Sequence, residues 1–253
     1  MTVKELYEIL DESIPASLSC EWDNDGLMCC PDGDRAVRRV LVALDVTGEV
    51  ADAAIKGEYD VIVSHHPFIF KGLKSINEEN YVAEKAVKLI KNGISVFSFH
   101  TRLDALDGGV NDCLCALLSL ENVSAFGEGG IGRVGELPAP TSAEELALTV
   151  KELLGAEGVL LSDCGKICRR VAVLGGEGGD DIGAAIAAGA DTYISGRLGY
   201  HTMTDAPDMG INLIEAGHFY TENPVCTALV EMIREADPKI DCDIYHSKKI
   251  KLI

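Results

Sequence analysis

The sequence contains no Cys-x-x-Cys pair, although it has nine cysteines: Cys20, Cys29, Cys30, Cys113, Cys115, Cys164, Cys168, Cys226 and Cys242. The odd count and irregular spacing argue against a disulfide framework and against a structural zinc knuckle. The thiols are expected to pack as small buried hydrophobes. No segment approaches the roughly 18 consecutive apolar residues of a membrane-spanning helix. The opening residues, Met1–Ser13, are acidic and amphipathic. They lack the basic and then apolar layout of a secretion leader, so a cytoplasmic location is expected. Basic residues are scarce: Lys and Arg total 22 against 41 Asp and Glu, a formal net charge of −19. Such a surface repels phosphate backbones and anionic lipid heads, which disfavours nucleic acid and membranes as partners. A small anionic substrate stays open, because bound cations reverse the local field.

What is present suits a soluble globular chain. Of 253 residues, 47% are hydrophobic and 25% charged, enough for one large domain or two smaller ones. Thr2 and Glu5 fit a helix-capping box ahead of Leu6, Ile9 and Leu10. Strands are expected at Val37–Val46, Tyr59–Ser64, Ile94–His100, Val171–Leu174, Asp191–Ser195, Ile211–Ala216 and Ile240–His246. Helices are expected at Asn80–Asn92, Gly109–Leu120, Thr141–Leu154, Asp180–Ala188 and Glu222–Ala236. This alternation predicts an α/β fold with mostly parallel sheets. The stretch 127–140, rich in glycine and proline, reads as a connector to a second unit. No internal sequence repeat is evident, although two α/β units of similar layout fit the pattern.

Three clusters could carry chemistry, and all follow expected strand ends, the edge where α/β sheets bind ligands. They are Ser64-His65-His66-Pro67, His100-Thr101-Arg102-Leu103-Asp104 and His218-Phe219-Tyr220-Thr221-Glu222. Adjacent His65 and His66 point in divergent directions, so they suit one imidazole for each of two metals. The i, i+4 spacing can set His218 and Glu222 on one helix face. Imidazole and carboxylate without thiolate suit zinc, iron, manganese, cobalt or nickel. Glu222 has two oxygens and could bridge two cations. Each histidine taken alone also fits a hydrogen-bonded structural residue. Gly175–Gly179 follows a strand but lacks the third glycine of a dinucleotide loop and a Walker lysine, so a tight turn is favoured over a phosphate cradle. Asp23 or Asn24 could line a pocket or form a plain turn. Tyr200-His201 reads either as a proton-transfer pair or as a surface loop.

Together, WDNDGL (22–27), SHHP (64–67), HTRLDALDGGVND (100–112), SGRLGYH (195–201) and GHFYTE (217–222) resemble the NIF-three-like family. Its members are dinuclear-metal hexameric proteins often labelled GTP cyclohydrolase 1 type 2 homologues. The resemblance spans nearly the whole chain and matches the short form, without an inserted domain. It implies two interleaved α/β domains, 1–127 plus 213–253 and 128–212, with a metal site in the cleft between them. It also implies a homohexamer. Carried onto this chain, His66 and Asp104 would hold one ion, His65 and His218 the other, and Glu222 would bridge them. His100 and His201 match further polar pocket positions and are candidate catalytic proton carriers. Arg102 and Arg197 depart from the family pattern, which has asparagine and an acidic residue there. Each would add a cation for substrate binding, for example to a nucleotide. The implied activity is hydrolysis by a metal-bridging water. A non-enzymatic role in metal binding, metal delivery or regulatory scaffolding is the alternative.

Overall fold

The computed structural model describes residues 1–77 and 79–253. Its contacts divide the chain into two compact units, Met1–Leu103 with Val225–Lys248 and Asp104–Pro224 with Lys249–Ile253.

The first unit begins as the sequence predicts. Thr2 Oγ1 accepts from the Glu5 amide and Glu5 accepts from the Thr2 amide, so a capping box opens α1 (Val3–Ser13). Then come β1 (Gly26–Cys29), β2 (Arg39–Ala43), α2 (Gly48–Lys56), β3 (Val61–Ser64), α3 (Tyr81–Lys91), β4 (Ser95–Ser98) and the short α4 (Thr101–Ala105). The strand order is β1-β4-β3-β2, and the sheet is completed by β11 (Asp241–Tyr245) beside β2. All pairs are parallel except β1 with β4. Every residue of β3 (VIVS) and β4 (SVFS) is buried, the composition that a parallel sheet covered on both faces demands.

The second unit contains α5 (Val110–Leu117), β5 (Glu121–Phe126), β6 (Gly132–Thr141), α6 (Ala143–Leu154), β7 (Leu160–Ser162), β8 (Cys168–Glu177), α7 (Ile182–Ala187), β9 (Thr192–Arg197), α8 (Tyr200–Met209), β10 (Asn212–Glu215) and α9 (His218–Glu222). Its sheet runs β5-β6-β8-β9-β10-β7. Only β8–β9 and β9–β10 are parallel; the other three pairs are antiparallel. The chain then returns to the first unit as α10 (Val225–Ala236) and β11. Among the described residues no helix is long and apolar enough to cross a membrane.

Several expectations change. The Gly- and Pro-rich stretch is no connector: it supplies β6, buried over Gly132–Gly135. Pro138 and Pro140 fit because the ladder with β8 shifts register between Glu136 and Thr141. The domain boundaries therefore fall elsewhere. Residues 104–127 join the second unit, because β5 pairs with β6 and α5 packs on β8. Residues 213–224 join it too, because β10 pairs with β9 and α9 packs on β8 and β9. The helix expected over Glu222–Ala236 is observed from Val225 as α10; Glu222 closes α9, and Asn223-Pro224, with a proline that has no amide donor, separates the two. Of the nine free cysteines, four are buried and Cys30 is exposed. Burial pushes the Cys115 thiol up to about 12, which suits an inert packing residue.

The two sheets share an internal repeat in backbone register that is not evident in the sequence. In unit one, the Asp60 carboxylate accepts from the Arg38 and Arg39 amides at 2.8 and 3.1 Å. In unit two, Asp191 accepts in the same way from Arg169 and Arg170. The Asp60 amide donates to Arg39 O, and the Asp191 amide to Arg170 O, both at 2.9 Å. Further along, Phe99 N donates to Ser64 O and Ala216 N to Ser195 O. The β2-β3-β4 and β8-β9-β10 sheets thus share one register, with Arg39, Asp60, Ser64 and Ser95 matching Arg170, Asp191, Ser195 and Asn212.

Asp60 also binds Arg35 through two contacts of 2.7 and 2.9 Å and is buried. Asp60→Ala is expected to lower the unfolding free energy by about 3 kcal/mol, because buried donors lose their acceptor. Urea unfolding followed by circular dichroism measures this; a loss below about 1 kcal/mol would make the anchor dispensable.

Candidate metal centre

Three imidazoles gather where β3 and β4 end. The turn after β3 is held from several sides. Ser64 Oγ lies 2.9 Å from Ser98 Oγ and donates to His66 O, while the His66 amide donates to Leu44 O. His65, His66 and His100 then bring their rings together, with centroids 5.0, 5.3 and 5.7 Å apart. One candidate ligand atom from each lies within 4.8 Å of the others.

Each ring is oriented through Nδ1. His65 Nδ1 lies 3.0 Å from Phe99 O, a carbonyl that can only accept, so this nitrogen carries a proton and Nε2 is the one left to face a ligand. His66 Nδ1 is 2.7 Å from Asp45 Oδ1, and the other Asp45 oxygen accepts from Ser247 Oγ. His100 Nδ1 is 2.9 Å from Asp23 Oδ1. The second Asp23 oxygen takes both the amide and the hydroxyl of Thr101. Burial pushes the Asp23 carboxyl up, but hydrogen bonds from His100 and Thr101 outweigh it and hold the group well below the usual carboxylate range. A carbonyl or carboxylate behind each imidazole is the support that metal-binding histidines characteristically have.

The second unit carries a different arrangement. His218 and Glu222 occupy one face of α9, with Nε2 and Oε2 3.0 Å apart. The helix lies almost on the sheet. Thr221 Oγ1 accepts from the Gly176 amide at 3.1 Å, and Glu222 is buried. A methyl group at Gly176 would fall 2.2 Å from Glu222 Oε1, and one at Gly196 would fall 2.7 Å from His218 Cα. Gly217, with φ near +90°, turns the chain into the helix. Gly175 and Gly176, which belong to β8 itself, thus provide space for α9, whereas Gly178 and Gly179 lie against Tyr193, Ser195 and Leu198. Asp104 sits on α4 and is buried, with its carbonyl accepting from Asn111 Nδ2. Asn111 Oδ1 accepts in turn from the Gly175 amide.

Of the expected site residues, the structure joins His65, His66 and His100 in one unit and His218 and Glu222 in the other. His201 is exposed on α8 and touches Tyr200; it enters no group of ligand atoms among the described residues. Arg197 is exposed at the end of β9, 3.9 Å from Glu177. Arg102 requires a correction. Its side chain is 2% exposed, and its guanidinium contacts Asp11 at 2.7 Å, Asp25 at 3.1 Å and Ile14 O at 2.8 Å. It ties α1 and the Asp25 segment to α4 and is not presented to a substrate. The family pattern marked Arg102 as a departure, but sequence alone did not supply the carboxylates that enclose it. Asp45 and Asn111 also escaped notice; the one available sign was an acid ending the apolar run of β2.

The family profile Duf34/NIF3 (NGG1p interacting factor 3) matches residues 1–251. The chain belongs to the DUF34/NIF3 family. A GTP cyclohydrolase 1 type 2 homolog of Clostridium perfringens is 32% identical, over 96% of this chain and 94% of the relative. One from Clostridium acetobutylicum is 35% identical, over 93% and 91%. The crystal structure of Staphylococcus aureus hypothetical protein SA1388 superposes with a TM-score of 0.90 at 27% identity, covering 100% of this chain and 99% of that one. The DUF34/NIF3 fold expected from the motifs is therefore the fold observed, and its His and Glu groups could hold metal ions.

Arg102→Met is expected to cost about 3 kcal/mol of stability, since it leaves the largely buried Asp25 carboxylate and the half-buried Asp11 without their partner. Thermal and urea unfolding test this; a variant as stable as the parent would return Arg102 to the substrate-binding candidates.

Proposed function

We propose that this DUF34/NIF3 protein binds two divalent cations and acts as a metal-dependent hydrolase, of the cyclohydrolase kind for which its relatives are named. The observation that carries the reading is the trio of imidazoles whose Nδ1 atoms are each taken by a fixed acceptor. Such rings offer Nε2 to a cation in a set orientation. With carboxylates and no thiolate, the donor set suits zinc, iron, manganese, cobalt or nickel. In this proposal His65, His66, Asp104 and His218 would hold the two cations, with Glu222 shared between them. When bound, such a pair acidifies a water and offsets negative charge developing on the substrate.

The chain's own residues supply orientation and proton movement. Phe99 O fixes the plane of His65, and Asp45 that of His66. Asp23 keeps Nδ1 of His100 protonated, so Nε2 can accept a proton or, once charged, return it. Arg197, exposed next to the glycine against which His218 packs, is the candidate cation for a nucleotide phosphate. His201 is a weaker candidate for proton transfer, given its exposure on α8. The proposed assembly is a cytoplasmic homohexamer.

Metal counting by plasma mass spectrometry tests the ligand set. Glu222→Ala and His65→Ala are expected to lose most of their metal, whereas His201→Ala keeps it. Retention by all three would overturn the assignment. The reaction is tested by mass-spectrometric detection of formate and ring-opened product from GTP, expected from the parent and absent from Glu222→Ala. Metal without product would remove the cyclohydrolase reading and leave metal delivery or scaffolding. Light scattering is expected to give roughly six times the 27.0 kDa subunit mass; a monomer would refute the hexamer.

A further inference from the structure

Beside the imidazoles, the first unit contains a cavity of about 610 Å³ bounded by the segment after β3 and the first turns of α3. That volume is typical of small-molecule sites. His66 and Asp45 stand at one end. The walls are mainly apolar, with Phe68, Ile69, Phe70 and Val82 contributing. Phe70 is 46% exposed and stands edge-on to Trp22, with ring centroids 6.2 Å apart; Trp22 is itself 65% exposed. Exposed aromatic rings next to a polar site commonly serve as ligand contacts, because they offer large area at little conformational cost.

The charges in the lining are unbalanced in a direction opposite to the chain. The protein carries a net charge of −19, yet among the described residues this cavity is lined by two lysines, Lys71 and Lys85, and one acid, Asp45. Both Asp45 oxygens already accept hydrogen bonds, from His66 and Ser247. Lys85 is held in place. Its ammonium donates to Val46 O and lies 5.4 Å from the Phe68 ring centroid and 5.6 Å from that of Tyr81. An ammonium has three donors, so further donors remain for an occupant.

We propose that this cavity is a binding subsite for small aromatic anions, with the ring against Phe70 and Tyr81 and a phosphate or carboxylate on the Lys85 ammonium. As a substrate subsite it rests on the metal reading above, because it shares His66 and Asp45 with that site. As a binding site it is complete in the first unit and can be tested without metal.

Trp22 is the chain's single tryptophan and lies against the cavity rim, so it can report occupancy. Chelator-treated full-length protein is titrated with 1-anilinonaphthalene-8-sulfonate, following energy transfer from Trp22. The neutral analogue N-phenyl-1-naphthylamine provides the comparison. One saturable site per chain is expected. Lys85→Met, which keeps an apolar stem, should weaken the sulfonate about tenfold and leave the neutral amine unchanged, as for loss of a charge-assisted hydrogen bond. Phe70→Ala, a change at an exposed ring that spares the core, should weaken both dyes. Unchanged sulfonate binding in either variant, or equal loss of both dyes in Lys85→Met, would overturn the proposal. Phenyl phosphate and benzoate then compete for the dye. Whichever displaces it identifies the anionic group, and displacement by neither overturns the assignment. The metal-free measurement stands whatever the parent's metal count, so failure of the subsite and failure of the metal reading are read separately.

Discussion

A carboxylate placed just before a buried strand governs both halves of this molecule. Asp60 and Asp191 each capture two successive backbone amides of the neighbouring strand. In a parallel sheet a slip of one residue would turn every buried side chain to the opposite face. The anchor sits at the amino edge, but its effect is felt at the carboxyl edge. With Asp60 fixed, Ser64 must end its strand beside Ser98, and the two residues after it must be the ones that leave the sheet. His65 and His66 are those residues. The positions of the candidate ligands are thus set five and six residues away from where the register is locked.

The repeat makes the second unit a built-in comparison. Where unit one has His65, His66 and His100, the equivalent ladder positions in unit two are Gly196, Arg197 and Gly217. The anchoring edge is kept and the ligand-bearing edge is changed. In one unit the imidazoles come directly off the strands. In the other, two of the three equivalent positions are glycines, and a five-residue helix supplies His218 and Glu222 instead. Conserved register with divergent edges is the division that α/β sheets allow, since packing is decided inside the sheet and chemistry at its rim.

Much of this could be read from the chain, for identifiable reasons. The central strands announce themselves as β-branched apolar runs, and α1 and α6 by their capping boxes. The clusters at His65, His100 and His218 stood out because imidazoles directly follow such runs. What escaped depends on long-range pairing. The strand β6 is unusual in glycine and proline and is stabilised by β5 and β8, so its local composition misleads. The repeat was hidden because few side chains are shared beyond Arg-Arg-Val, the anchoring aspartate and the serine four residues on. The enclosure of Arg102 needs Asp11 and Asp25, which are distant in sequence from it and carry no local sign of a shared ion-pair network.

The closeness of α9 to its sheet also limits how this protein can vary. At Gly176 and Gly196 the clearance is smaller than a single methyl group. Sequence drift at that edge is therefore filtered by size before chemistry is ever sampled. Donor identity can be exchanged on the helix, and acidity can be tuned behind the imidazoles of the first unit. The sheet under the helix has no such latitude. Across relatives with diverged activities, the bare backbone at these glycines should outlast the side chains that do the work.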